Sequence, residues 1–350
     1  MKLPTRLVAS LCLCTGLLLA GCSGAPSGTP SAPDPTGTAA PTGGVCDVTV
    51  TGAPASATPA PEDEAASRQA LAAVRLNGDT ASAPTLAFEA PLALTSEIIH
   101  VADEGSGDAI GSGQLVTFNF LVCDIVTGEK VASTWGVSAD ANAPKTFPIT
   151  ERSFGPKLTE ALANAKVGAR LLWGQPSVAA EQSSSGMAVN GQVFVLSIEG
   201  ARPIPDAASG AAVTPADAAL PTITITDGKP AVSVPSSFAD PTELVVQPLI
   251  DGDGEVVKSG KSVVVKYTGW LTDGTQFDSS WDRQAPNDKF VFGVGAGGVI
   301  QGWDQGLIGQ KEGSRVLLVV PASMGYGDQA SGAIPANSTL IFVVDILAVF

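Results

Sequence analysis

Histidine is nearly missing from this chain, which holds one, His100, in 350 residues. That residue lies far from Ser279 and Ser280 in a separate block of the sequence, so those serines lack the imidazole base that hydrolytic triads use. No Cys/His cluster stands at zinc or haem spacing, so neither a metal nor another cofactor is expected. His100 itself, beside Ile98 and Ile99, reads as a structural residue. Basic charge is also short: 19 Lys and Arg face 34 Asp and Glu, for a net charge of −15. Such a surface repels phosphates, and no nucleic-acid partner is expected. The apolar run at residues 7–20 falls short of the roughly 20 residues that cross a bilayer as a helix. Charged residues make up only 15% and aromatics 5%, whereas 39 Gly and 26 Pro promise many turns and few long helices.

What is present at the N-terminus gives that short run a purpose. Lys2 and Arg6 precede it and Leu19-Ala20-Gly21-Cys22 closes it, the pattern of a cleaved signal peptide with a lipobox. The segment resembles bacterial lipoprotein precursors, in which the thiol at the position of Cys22 receives diacylglycerol. Residues 1–21 then take no part in the fold, and the mature chain is expected on the extracytoplasmic side of a cell membrane, held by its lipid anchor only. Residues 22–44, almost all Ser, Gly, Ala, Pro and Thr, read as a flexible tether. Cys22, Cys46 and Cys123 survive processing, and lipidation takes the first. Cys46 and Cys123 are either a candidate disulfide, as an even pair outside the cytoplasm suggests, or two free thiols.

Two folded blocks follow, residues 45–201 and 222–350, separated by a Pro- and Ala-rich linker at 202–221. They read as an internal duplication. Each opens with a Thr-rich strand pattern, Asp47 to Thr51 and Thr222 to Thr226. Each reaches an acidic Gly turn, then a strand, Leu115 to Phe120 or Ser262 to Tyr267, then a turn at Thr127-Gly128 or Asp273-Gly274. Later, Lys166 to Leu172 parallels Gln310 to Leu318, and Val193 to Ile198 parallels Leu340 to Ile346. Glu62 to Leu76 suggests one short helix in the first block. The second has a helical candidate at Ile300 to Leu307, weakened by Gly302 and Gly306. Packing must hold it, and an antiparallel sheet wrapped on this helix makes the class α+β.

The second block carries a series of motifs. They are Val265-Lys266-Tyr267-Thr268-Gly269, Gly274 to Ser280 (GTQFDSS) and Val299 to Leu307 (VIQGWDQGL). Pro321 to Gly327 (PASMGYG), Ile334-Pro335 and Thr339 to Asp345 (TLIFVVD) complete it. In this order they resemble the FKBP-type peptidyl-prolyl cis-trans isomerases, with a core at 240–350. The resemblance implies a proline pocket lined by Tyr267, Phe277, Val299, Ile300, Trp303, Tyr326 and Phe342, with Trp303 as its floor. It further implies polar contacts from Asp278 and Tyr326, and a backbone N–H at Ile334 that binds a substrate carbonyl. Proline-containing unfolded or exported proteins are the implied partners, and macrolide inhibitors of the family the implied ligands.

The physics of that chemistry needs no cofactor. Rotation about a peptide C–N bond meets a barrier of about 18–20 kcal/mol, whereas the two X–Pro isomers lie within about 1 kcal/mol of each other. A catalyst must hold the twisted imide more tightly than either planar form. A dry aromatic pocket does so, because the twisted bond has lost charge separation and suffers less from leaving water. The competing reading is a non-catalytic chaperone or binding module for proline-containing segments.

Two other motifs read as structural. Gly293 to Gly298 (GVGAGG) matches a dinucleotide fingerprint, but the helix after it is short and glycine-interrupted. Asp251 to Glu255 (DGDGE) lacks the later glutamate of a calcium loop and reads as a hairpin turn. The chain also departs from the family. Asn287 or Asp288 stands where many members have a pocket aromatic before Phe290, and the turn before Val299 is longer. The first block has Val131-Ala132 for Phe277-Asp278 and Leu158 for Trp303, so it reads as a degenerate FKBP-like domain without activity.

Overall fold

The computed structural model describes residues 44–51, 62–79, 82–135, 143–183, 185–285 and 287–350. The expected signal peptide, Cys22 and nearly all of the tether lie outside the described residues. The chain divides into two units, residues 1–203 and 204–350.

Unit 1 runs β1 (Val45–Val50), α1 (Glu64–Ala72), β2 (Arg75–Asn77), β3 (Thr85–Ala90), β4 (Ile98–Asp103), β5 (Gln114–Asp124), β6 (Lys130–Ser133), β7 (Lys145–Pro148), α2 (Glu151–Ala163), β8 (Arg170–Gln175) and β9 (Gln192–Pro203). Its main sheet has the order β4-β8-β9-β5-β6, with β7 also on β5. Alternation along β5 sends Val116, Phe118, Phe120 and Val122 toward α2 and Leu121 and Cys123 toward the opposite core, as a strand period of two requires. Glu62 to Leu76 forms two elements where one helix was expected. Asp63 caps α1 by accepting from Ala66 N–H, and Arg75 and Leu76 then join a three-stranded sheet. That sheet also holds β1, which lies parallel to β3.

Unit 2 contains β10 (Ala211–Ala212), β11 (Thr222–Thr226), β12 (Lys229–Ser233), β13 (Val245–Asp251), β14 (Ser262–Leu271), β15 (Gln276–Ser279), β16 (Phe290–Gly293), α3 (Gln301–Gly306), β17 (Arg315–Val320) and β18 (Leu340–Val349). The sheet order is β10-β13-β17-β18-β14-β15, with β16 also on β14. Setting β10 aside, this is the order of unit 1 with β13, β17, β18, β14, β15 and β16 in place of β4, β8, β9, β5, β6 and β7. The irregularities correspond too: one interrupts β4–β8 and β13–β17, one β5–β9 and β14–β18, one β5–β6 and β14–β15. The opening strands do not correspond, because β1 pairs with β3 whereas β11 forms a separate hairpin with β12.

The two faces of the unit 2 sheet bury different partners. Val265, Phe342, Val344, Val316 and Leu318 pack with Trp303 of α3 on one face. Trp270, Leu317, Val319, Ile341 and Val343 on the other face are covered by Leu220, Ile223, Val232 and Phe238. The stretch 202–221, expected as a linker, is attached to unit 2 over much of its length. Ala208 N–H donates to Asp345 Oδ2 at 2.8 Å, Ser209 N–H to Gly313 O and Val213 N–H to Leu249 O. These bonds satisfy backbone groups that a free linker would leave to water.

The acidic turn at Asp251 to Gly254 does not close a hairpin, because β13 and β14 are not neighbours. Gly252 N–H reaches Ser314 Oγ and Gly254 N–H reaches Glu312 O, which ties this crossover to the turn before β17. Lys311 Nζ takes both oxygens of Asp251 at 3.1 Å.

In unit 1, Cys46 and Cys123 are bridged, with Cα atoms 6.0 Å apart and a sequence separation of 77. Closing a loop of that length restricts the unfolded chain by about 4 kcal/mol on the loop-entropy model. Peptide mass analysis should find both thiols closed to alkylation until a reductant is added. Reduction should then lower the denaturation midpoint of unit 1.

Candidate isomerase site

Helix α3 is short, and two of its six residues are glycines that set how closely it approaches the sheet. A Cβ on Gly302 would come within 2.5 Å of Val320 Cγ1, and one on Gly306 within 2.8 Å of Leu318 Cδ2. The two glycines that weaken the helix in isolation are thus what lets it lie against β17. Trp303, 4% exposed, then sits under the sheet. Tyr267 meets its ring edge to face at 5.1 Å and Phe342 at 5.3 Å. Phe277 meets Phe342 edge to face at 5.5 Å, an approach that a side chain on Gly269 would obstruct. Such pairs contribute about 0.5–1.5 kcal/mol each beyond their area. Val299, Ile300, Tyr267 and Phe277 are half-buried against this cluster, and Tyr326 is 40% exposed.

The polar side of the site is a three-way contact. Tyr267 Oη–H donates to Asp278 Oδ2 at 2.5 Å, and Arg283 Nη2 donates to Asp278 Oδ1 at 2.6 Å and to Tyr267 Oη at 3.2 Å. The guanidinium also lies 5.7 Å from the Tyr267 ring centre. Burial pushes the Tyr267 hydroxyl above its ordinary value, and its bond to Asp278 pushes it further. The Arg283 guanidinium is held above its usual range, first by its bond to Tyr267. Sequence reading missed Arg283. The only signal was a cation five positions after Asp278, and nothing local says that the intervening turn folds it back.

Ser279 and Ser280 serve this geometry structurally. Ser280 Oγ accepts from Tyr267 N–H at 2.9 Å, and Ser279 Oγ shares a bond with Thr268 Oγ1. Both serines are buried. The sole histidine, His100, lies in β4 of the other unit.

The backbone donor is not where it was expected. Ile334 N–H already donates to Ser331 O at 2.9 Å, and Ser331 N–H returns a bond to Ile334 O. Its side chain is buried instead, packed with Trp303, Leu340 and Phe342 in one core. Ile300, which precedes the first turn of α3 as its N-cap, has no partner for its N–H among the described residues. The orphan donor of a helix start therefore stands beside Trp303.

The glycine-rich turn is closed to phosphate. Asp304 of α3 takes Gly295 N–H on Oδ1 and Gly297 N–H on Oδ2, both at 2.9 Å. Those amides hold a carboxylate of the chain itself, which anchors the longer turn before Val299. Asp288 likewise is held by charges of the chain itself. Its carboxylate pairs with Lys266 and Lys289 at 3.3 Å, and Lys266 alternates with Tyr267 along β14. Phe290 contacts Tyr267 at 6.1 Å and Trp303 at 6.4 Å, so it closes that side.

Unit 1 differs at each of these places. Its registers place Ala132 opposite Val122 as Asp278 is opposite Gly269, and Phe194 opposite Val122 as Phe342 is opposite Gly269. Phe120 stands at the Tyr267 position, without a hydroxyl, and Val131 at that of Phe277. Leu158 is one of three buried residues of α2, with Phe154 and Leu162. Trp173 packs on Phe194 with ring centres 4.6 Å apart.

Residues 254–347 match the family model of the FKBP-type peptidyl-prolyl cis-trans isomerases. An FK506-binding protein of Neisseria meningitidis is 46% identical over 108 residues, which are 31% of this chain and 96% of that protein. One of Streptomyces anulatus is 43% identical over 124 residues, 35% of this chain and 97% of that one. The mouse peptidyl-prolyl cis-trans isomerase FKBP2 is 48% identical over 96 residues, covering 27% and 66%. Among solved structures, the crystal structure of FkpA from Escherichia coli matches with 42% identity and a TM-score of 0.29, over 31% of this chain and 48% of that one. Because it covers 96% of one FK506-binding protein at 46% identity and 97% of another at 43%, the chain belongs to the FKBP-type peptidyl-prolyl cis-trans isomerases.

Proposed function

We propose that unit 2 catalyses prolyl isomerisation by holding the twisted X–Pro imide over Trp303, within the walls made by Tyr267, Phe277, Val299, Ile300, Tyr326 and Phe342. The observation that carries this reading is the edge-to-face cluster around a nearly buried indole, bordered by one fixed polar group. The pyrrolidine ring suits the apolar floor. The imide carbonyl, less dipolar when twisted, loses little on leaving water. Ile300 N–H supplies a donor for a neighbouring substrate carbonyl, and Tyr326 Oη stands at the edge. Asp278, fixed by Tyr267 and Arg283, orients the peptide rather than taking a proton. No covalent step is needed, since only preferential binding of the twisted form lowers the barrier. The same pocket would take macrolide inhibitors of the family, with Asp288 leaving one aromatic contact unmade.

The setting is proposed as the outside of a cell membrane, with proline-containing exported proteins as substrates. The Leu19-Ala20-Gly21-Cys22 sequence supports a lipid anchor at Cys22, and the Cys46–Cys123 bridge is of the kind that persists in oxidising compartments. Unit 1 is proposed as a degenerate FKBP-like domain. Its matching strand order supports common descent, and Ala132 and Phe120 remove the groups that fix the rim. It serves as a non-catalytic binding or spacing module, and two such units on one tether would add avidity for an unfolded client.

Exchange on a short X–Pro peptide tests the catalytic reading. Residues 204–350 should accelerate it and residues 44–203 should leave it at the buffer rate. Asp278→Ala should lower kcat/KM about tenfold, near 1.4 kcal/mol of transition-state binding, while Phe342→Ala should lower it further and also destabilise the fold by about 3–5 kcal/mol. A folded 204–350 fragment that matches buffer would overturn the reading.

The Tyr267 hydroxyl gives a second test. Its ionisation is raised in the folded state above the ordinary value of 10.0, so its contribution to stability is complete below about pH 10 and lost as pH rises beyond it. The chain has two tyrosines, and Tyr326→Phe leaves Tyr267 alone for ultraviolet titration. Its absorbance change should come above pH 10, with folding stability falling over the same range.

A further inference from the structure

The hairpin β11–β12 lies outside residues 254–347, the part that matches the family model, and yet it reaches the site. Its body is anchored on the outer face of the sheet, where Ile223 and Val232 pack against Trp270, Ile341 and Val343. Asp227 and Gly228 make its two-residue turn, both with positive φ, the conformation that tight hairpins favour. Lys229, the first residue of β12, is thereby held at a fixed point. Its Nζ donates to Asp282 Oδ1.

Asp282 is a junction. Its other oxygen accepts from Gln276 Nε2 of β15 at 2.8 Å, and it belongs to the single turn Ser280–Asp282. That turn begins with Ser280, whose hydroxyl holds Tyr267 N–H, and is followed by Arg283, whose N–H closes it on Ser280 O. Arg283 is the residue that grips Asp278 and Tyr267. One carboxylate therefore connects a hairpin on the outer face to the polar rim on the inner face.

We infer that Lys229 is a positioning residue of the isomerase site, acting through Asp282 to hold Arg283 on Asp278 and Tyr267. Both side chains of the pair are partly exposed, at 39% and 48%, so it adds little to global stability. Its effect falls on the rim. A rim left loose must be ordered when peptide binds, and that cost appears in KM rather than kcat. Arg283 also opposes the rise of the Tyr267 hydroxyl, so freeing it should be felt at that ring. The inference rests on the site proposed above, and its test separates the two.

The experiment compares the full chain with Lys229→Met, Lys229→Arg, Arg283→Ala and the double variant Lys229→Met/Arg283→Ala. It follows peptide exchange, thermal unfolding and the NMR signals of the Tyr267 ring. Lys229→Met should raise KM about threefold to fivefold, leave kcat within about twofold, and keep the melting temperature within about 2 °C. It should also displace the Tyr267 ring signals. Lys229→Arg should restore both KM and the signals. In the Arg283→Ala background, Lys229→Met should change nothing further, because the interaction it supports is gone. Wild-type KM and ring signals in Lys229→Met, alongside changes in Arg283→Ala, would overturn the inference and leave the site intact. An equal rise in KM with and without Arg283 would also overturn it. If Arg283→Ala and Asp278→Ala both keep wild-type KM, the site reading fails, and displaced ring signals in Lys229→Met would still establish the positioning.

Discussion

The site depends on how closely α3 approaches the sheet. Hydrogen is the only side chain that fits at Gly302 and Gly306 against Val320 and Leu318, and this contact decides the depth at which Trp303 sits. The indole Nε1–H has no hydrogen-bond partner among the described residues. The ring is therefore placed by packing, with aromatic and aliphatic neighbours and no polar anchor among the described residues. An unpaired buried donor costs about 1–3 kcal/mol, which the contacts with Tyr267, Phe292, Phe290 and Phe342 offset.

Charge is kept to the edges and to the opposite face. Asp345 is completely buried on β18 and takes Arg315 in a two-pronged contact at 2.6 and 2.7 Å, with Ala208 N–H as a further donor. Removing one member of such a pair leaves the other buried and unpaired, at a cost of about 3–5 kcal/mol. Lys266 lies opposite Asp345 in the β14–β18 register, and the pairs Lys266–Asp288 and Lys289–Asp206 extend the row. Asp206 is held below the usual carboxylate range by its bond to Lys289. This row explains why the folded unit begins near residue 204. Ala208 N–H completes the bonding of the buried Asp345 carboxylate, which a fragment starting at residue 222 would leave open.

The sequence made the aromatic cluster legible and the polar contacts beside it much less so. Tyr267, Phe277, Trp303 and Phe342 lie in motifs whose order identifies the family, and alternation along β14, β17 and β18 fixes which face they occupy. The helix at Ile300 to Leu307 was legible for the same reason, within one residue at each end. Arg283, the Ile300 donor and the docking of residues 204–213 were not. Each depends on a hydrogen bond between groups that no local pattern relates, such as Ala208 with Asp345 across 137 positions. Ile334 shows the converse error. A family motif placed a free amide there, but the turn around it spends that amide on Ser331. The acidic turn after β13 failed on topology: a hairpin was inferred from adjacency in sequence, whereas β13 and β14 are separated by β17 and β18.

The two sheets also show which parts of this architecture can vary independently. Strand order and the places where register breaks are the same in both units, although the helices differ in length and the outer faces are covered by unrelated elements. A sheet of this kind needs one helix on its inner face and some apolar cover on its outer face, and many side chains meet those needs. Unit 1 meets them with Leu158 inside and with α1, β1 and the disulfide outside. A dry floor with a fixed polar border asks for more, because a carboxylate near aromatic rings must have its charge matched. Asp278 exists in unit 2 beside Tyr267 and Arg283, and Ala132 in unit 1 has Phe120 at the place of the tyrosine. Loss of any one of the three polar groups would leave the others poorly matched at a half-buried edge, so they are expected to be kept or lost as a set.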